Sequence, residues 1–152
     1  MKYFTSNELE HFSFSEAYIA AIQKINGYFQ LTLDNVTILP DNSCNRDIRE
    51  MRTNGLNLKI QDGKINLLIQ EGYKVYNPDG ILVKEYEDKL IEQEEYNHVL
   101  KAMEDGASCI YALKKEEYVY TFVIDASDER TYILRVTGAG DIEEWDRFLS
   151  KE

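Results

Sequence analysis

Residues 18–39, YIAAIQKINGYFQLTLDNVTIL, decide the fold: two strand-like arms meet at Asn26-Gly27. Asn-Gly takes positive φ at little cost and fits the twist of a two-residue type I′ turn, so the chain is expected to double back there. In the first arm Ala17, Ile19, Ala21 and Ile25 share one parity, while Tyr18, Ala20 and Ile22 share the other. Apolar side chains on both faces predict a strand covered on both sides. In the second arm Phe29, Leu31 and Leu33 alternate with Tyr28, Gln30, Thr32 and Asp34, as in a strand with one wet face. After Asp34-Asn35 the apolar set moves to even positions, Val36 and Ile38. Side chains alternate with period two, so this change requires an extra residue, and a β-bulge is expected at Asp34-Asn35.

Further strand signals follow. Leu56, Leu58 and Ile60, then Ile65, Leu67 and Ile69, flank Asp62-Gly63 and read as a second hairpin. Tyr73, Val75 and Tyr76 lead to Asn77-Pro78-Asp79-Gly80, a tight turn with Pro fixing φ and Gly accepting a positive one. The return strand from Ile81 becomes charged through Lys84, Glu85, Glu87, Asp88 and Lys89, which places it in solvent or at a sheet edge. Segments 108–113 and 118–125 form another strand pair, the second with Tyr118, Tyr120, Phe122 and Ile124 on one face. Tyr132, Leu134 and Val136 continue the pattern.

Helical spacing is rarer. Ile48 and Met51, with Asn45 as cap and Asn54-Gly55 as terminus, predict a short helix near 46–53. Tyr96, Val99, Leu100 and Met103 make one stripe on a helix near 94–104. Asp141 and Glu144 resemble a capping box, and Ile142, Trp145, Phe148 and Leu149 fall on one side of a helix near 142–150. No linker or repeat divides residues 1–152. The expected architecture is a single α+β domain dominated by antiparallel hairpins, as a sandwich or partly open barrel.

Composition bounds the function. With 152 residues the chain can bury roughly two thirds of its unfolded surface without staples. Its 11 Tyr and 6 Phe against 2 Pro suit a β-rich domain. A formal net charge of −11 opposes binding to nucleic acid or to an anionic membrane. The opening Met1-Lys2-Tyr3-Phe4 has no signal-peptide core, and no run approaches the ~20 apolar residues of a membrane span. A soluble, cytoplasmic protein of a bacterial type is expected. Cys44 and Cys109 are then reduced thiols rather than a disulfide framework.

Chemistry-bearing residues concentrate in few places. The loop holding Asp41, Cys44 and Asp47 brings a thiol and carboxylates onto a connection longer than a hairpin needs. A nucleophilic thiol there would require a base or a positive charge such as Arg46. His11 and His98 are distant in sequence, which favours a structural Cys and turn-forming acids. Arg46, Arg49 and Arg52, at intervals of three, would form a basic stripe on a helix, fit to hold a carboxylate or phosphate bidentately. The plainer reading pairs them with the protein's own acids. Tyr118, Tyr120 and Tyr132 would line a pocket for a planar ligand if the sheet curls, although aromatic stripes are usually core. No spacing suits a metal, and no cofactor motif is present. The small acidic β-rich composition resembles that of bacterial immunity proteins, which cover a basic toxin surface with carboxylates, without a matched motif.

The sequence therefore leads to a non-enzymatic interaction or regulatory module with an acidic surface, facing a protein partner with a basic surface or a second copy in a homodimer. The alternatives are a small-molecule-binding domain using a Tyr/Phe-lined sheet face and, behind it, a small enzyme.

Overall fold

The computed structural model describes residues 1–151. In chain order the first strands are β1 (Tyr3–Ser6), β2 (Phe12–Ser13), β3 (Tyr18–Ile25), β4 (Tyr28–Asp34), β5 (Val36–Ile38), β6 (Met51–Thr53), β7 (Leu56–Gln61) and β8 (Lys64–Gln70). β9 (Tyr73–Tyr76), β10 (Leu82–Tyr86) and β11 (Lys89–Leu90) precede the helix α1 (Tyr96–Asp105). The chain ends with β12 (Cys109–Glu116), β13 (Val119–Asp125), β14 (Thr131–Thr137), β15 (Gly140–Trp145) and β16 (Leu149–Ser150).

The opening hairpin forms as expected. Ile25 faces Tyr28 across Asn26 and Gly27, whose φ values of 51° and 82° are the two positive angles a type I′ turn needs. The two-sided apolar pattern of β3 has a different cause from the one expected. A register shift between Ile19 and Ala21 inserts Ala20 as an extra residue, so Ile19 pairs with Leu33 and Ile22 with Leu31. Directly opposed residues share a face, and both leucines are buried, so Ile19 and Ile22 point the same way despite opposite parity. The bulge thus lies in β3. At Asp34-Asn35 the chain instead leaves one sheet and enters another. Asn35 takes φ 60°, its amide donates to Asn54 Oδ1 at 2.9 Å, and Asp34 Oδ1 accepts from the Gly55 amide at 2.8 Å. The parity change read from Val36 and Ile38 marks this switch, and both residues are buried.

The large antiparallel sheet has the order β1-β15-β7-β4-β3-β12-β13-β14-β8-β11. Its two halves, β1-β15-β7-β4-β3 and β12-β13-β14-β8-β11, meet in a single paired rung, Cys109 opposite Tyr18. A four-stranded sheet, β16-β6-β5-β2, lies beside it. Among the described residues the end strands β1 and β11 do not pair with each other, so the ring does not close and the architecture is a sandwich or partly open barrel. β7 and β8 exchange no ladder bonds, so the expected hairpin over 56–70 is corrected. Both strands exist, but Asp62-Gly63 carries the chain from one half to the other. Gly63 is required at that crossing, because a Cβ would collide with Phe29. Leu31, Leu33, Leu58 and Ile60 from one half join Leu68, Phe122, Ile124, Leu134 and Val136 from the other in one core.

Two expected helices are strands. Residues 46–50 are irregular and Met51–Thr53 forms β6, with Ile38 opposite Met51 and Val36 opposite Thr53. Asn45 is the reason: its Nδ2 donates to the carbonyls of Ile38, Leu39 and Arg49, pinning the loop to β5 instead of capping a helix. The second, near 142–150, is β15 followed by β16. Trp145 is fully buried, as its anchoring role required, yet it sits on a strand with Asp141 and Glu143 pointing inward beside it. Those inward acids hid the period-two pattern. The helix near 94–104 is α1, preceded by a 3₁₀ turn over Gln93–Glu95, and it buries Leu100 and Met103. No helix among the described residues is long and apolar enough to cross a membrane.

Candidate functional site

The element without a place in the core is the arm made by β9 and β10. These strands pair only with each other, and every residue in both is exposed. Its turn is well determined: Asn77 Oδ1 accepts from the amides of Asp79 and Ile81 at 3.0 Å each, and Gly80 takes φ 78°. The base is anchored as well. Tyr73 and Tyr86 stack at 4.5 Å between centroids, the Arg130 guanidinium lies 4.8 Å over the Tyr73 ring, and the Gly72 amide donates to Asp88 Oδ1 at 2.7 Å. A fixed arm therefore holds Tyr76, Ile81, Leu82 and Val83 in solvent, and Ile81 is 61% exposed. An isolated two-stranded ribbon gains little from its own pairing, so so much exposed apolar surface is unusual for a lone monomer. Next to it runs an acidic segment. Glu87, Glu92, Glu94 and Glu95 are exposed, and among the described residues none of them has a basic partner within ion-pair distance.

The loop singled out from the sequence is divided by the structure. Asp41 faces His11, with Oδ2 2.9 Å from Nδ1, and that contact raises the His11 pKa. Cys44, Arg46 and Asp47 instead line a depression of about 620 Å³ with Tyr3, Ile48, Met51 and Phe148. The Cys44 thiol donates to the Phe4 carbonyl at 3.5 Å. Arg46, Arg49 and Arg52 make no stripe, since no helix carries them. Arg49 pairs with Asp47 at 3.2 Å, which holds the Asp47 carboxyl below its ordinary range, and Arg52 Nε donates to the Ser150 carbonyl at 3.1 Å. Arg46 is exposed.

The three tyrosines do not converge either. Tyr118 is exposed at the turn between β12 and β13. Tyr132 is buried, donating to Asp128 Oδ2 and accepting from Gln70 Nε2, both at 3.0 Å. Tyr120 is fully buried and belongs to a polar cluster that the sequence did not reveal.

That cluster sits on the inner face of β15. Asp141 Oδ1 accepts from Tyr120 Oη at 2.7 Å and from Lys115 Nζ at 2.9 Å, and the Asp141 amide donates to Asn7 Oδ1 at 3.0 Å. Glu143, with no exposed surface, accepts from Thr5 Oγ1 at 3.4 Å. The remaining oxygens, Asp141 Oδ2 and Glu143 Oε2, are buried and face no N–H or O–H donor. A single proton shared by the two carboxyls satisfies both. Burial and the neighbouring Asp141 accordingly push the Glu143 pKa up to about 10. Burial and the Asp141 carboxylate also push the Tyr120 phenol upward. The only sequence signal for this was the shared parity of Asp141, Glu143 and Trp145.

The chemistry available is limited. Cys44 has no imidazole in contact, His98 lies exposed on α1, and no group of three or more metal-ligating side chains gathers among the described residues. No protein-family model matches the chain, and comparison with curated proteins and with solved structures finds no similar one.

Proposed function

We propose that this protein is a non-enzymatic interaction module. The arm formed by β9 and β10 makes its protein–protein contacts, and the acidic run beside it steers a partner with a basic surface. The observation that carries this reading is the arm itself: an anchored ribbon with aromatic and aliphatic side chains in water, attached to a body whose own core is complete. Residues 71–95 hold eight acids against three lysines, so the field around the arm favours a basic approach. The test is capture of a partner by the whole chain and by a variant with residues 74–85 replaced by a short turn, over a range of salt. Loss of capture in the variant, together with weakening at high salt, supports the reading. Equal capture by both forms removes the arm from it.

A second reading has its own observation. A groove of about 510 Å³ between α1 and β3 is floored by Ile22, Phe29, Ile65, Tyr96 and Leu100 and rimmed by Lys24 and Lys101. A small apolar or planar molecule would suit it, since convergent apolar walls with a few polar groups are the usual make-up of such sites. A thermal-shift screen against metabolites tests this, and Leu100→Lys should abolish any shift found.

A further inference from the structure

We infer that the arm pairs with the arm of a second copy of this chain, edge to edge along β9, to give a four-stranded antiparallel ribbon. The inference rests on the reading of the arm as a contact element and names its occupant.

The two edges of the arm differ. β10 carries a register shift between Leu82 and Lys84, which leaves Val83 as an extra residue, and bulges disrupt the regular spacing that a new strand needs. β9 is regular. Its phase is fixed by the turn, where the Asn77 amide donates to the Ile81 carbonyl at 2.9 Å. Backbone groups alternate in direction along a strand, so those of Val75 and Tyr73 also face β10. Those of Lys74 and Tyr76 then face outward, and no backbone partner among the described residues meets them.

A two-fold axis between antiparallel strands requires one residue to lie opposite itself. With the outward groups on Lys74 and Tyr76, three residues could take that place; Lys74 would set two ammonium groups opposite each other and Tyr76 would bring Lys74 opposite Pro78, which has no N–H, so the axis falls at Val75. Lys74 of each copy then exchanges both backbone bonds with Tyr76 of the other. The side chains agree with this register. Valine meets valine, each lysine ammonium lies beside a tyrosine ring, and no like charges are opposed. Within residues 73–86 the charges cancel, Lys74 and Lys84 against Asp79 and Glu85, in a chain of net charge −11. The arm is thus a segment on which two acidic bodies can meet without repulsion at the contact. Tyr73 of one copy and Tyr73 of the other would stand four residues apart along the edge, roughly 13 Å. The two acidic bodies are thus attached at opposite ends of the ribbon. The resulting dimer would present two acidic runs to a basic partner.

Cysteine cross-linking tests the register. In a background with Cys44→Ser and Cys109→Ser, Val75→Cys places two thiols at a non-hydrogen-bonded pair, where Cα atoms lie about 4.5 Å apart and a disulfide fits. Under mild oxidation this variant should become a covalent dimer. Val83→Cys should remain monomeric even though Val83 is the more exposed residue, 59% against 38% for Val75. Light scattering on the native chain should show the mass rising from 17.7 kDa toward twice that value with concentration, and Tyr76→Pro, which removes an outward amide, should suppress the rise. Equal cross-linking of both cysteine variants, or a native mass that stays monomeric at every concentration, would overturn the pairing. A monomer that still captures a partner through the arm would refute only the self-pairing. A variant without the arm that matches the native chain in both mass and capture would refute the contact role as well.

Discussion

Glu143→Gln should flatten the pH dependence of stability. Glu143 is fully buried, and its carboxyl holds a proton that bridges to Asp141, with a pKa raised from 4.5 to about 10. Between those limits the folded chain keeps a proton that the unfolded chain releases, so stability is complete below the unfolded pKa and declines as pH rises. The slope approaches that of one whole proton, about 3 kcal/mol between pH 6 and pH 8. For a domain of this size that lowers the thermal midpoint by roughly 5–10 °C. Glutamine cannot ionise, yet its amide can still donate to Asp141. The variant should therefore match the native chain near pH 4.5 and gain on it steadily above. Calorimetry or urea melts at half-unit pH steps measure the difference between the two curves, which cancels contributions from other groups. Parallel curves from pH 5 to pH 9 would show that Glu143 ionises freely in the fold, and the shared-proton reading would be wrong.

Other consequences are as direct. Tyr120→Phe deletes a buried donor to Asp141 and should cost about 1–3 kcal/mol in a urea melt, more than the same change at exposed Tyr118. Trp145→Ala should cost about 3–5 kcal/mol, because the indole packs against Tyr3, Phe12 and Phe148, and native emission from this single tryptophan should be that of a dry site. Asp41→Asn should lower the His11 pKa measured by NMR titration, since the Asp41 contact is the largest influence raising it. Whatever stability the His11–Asp41 pair supplies is present at acidic pH and lost as pH rises through that raised pKa.

Much of the sheet was legible because strand signals are local. Asn26-Gly27, the Phe29-Leu31-Leu33 alternation and the central place of β13 could be read from neighbouring residues alone. What failed depended on contacts far along the chain. Ala20 forms a bulge only because Leu31 and Leu33 demand both isoleucines on one face. Asp62-Gly63 joins strands that each prefer another partner. The helix expected near 46–53 gave way to Asn45 bonding to carbonyls of β5 and the loop itself. At the candidate sites residue types were legible without their neighbours. Arg49 found Asp47, Tyr120 found Asp141, and the stripe and the tyrosine pocket dissolved. The arm was half visible: its turn and its charged return strand were read, but detachment from the main sheet was not, since nothing local says which strand lacks an outside partner. Inward acids on β15 defeated alternation outright, because a buried carboxyl is indistinguishable in sequence from a solvated one.

The lone rung between Cys109 and Tyr18 has a bearing on how the chain assembles. β12, β13 and β14 follow one another as a meander, so their half can zip up through short loops, whereas the other half must recruit Tyr3–Ser6 to meet Gly140–Trp145 across nearly the whole chain. With three backbone hydrogen bonds at the seam, donated by Glu16, Ile19 and Ile110, the early half gives the late half only a short backbone template. The last event in folding is then the arrival of the distant ends, and amides in β1 should exchange with solvent before those in β13.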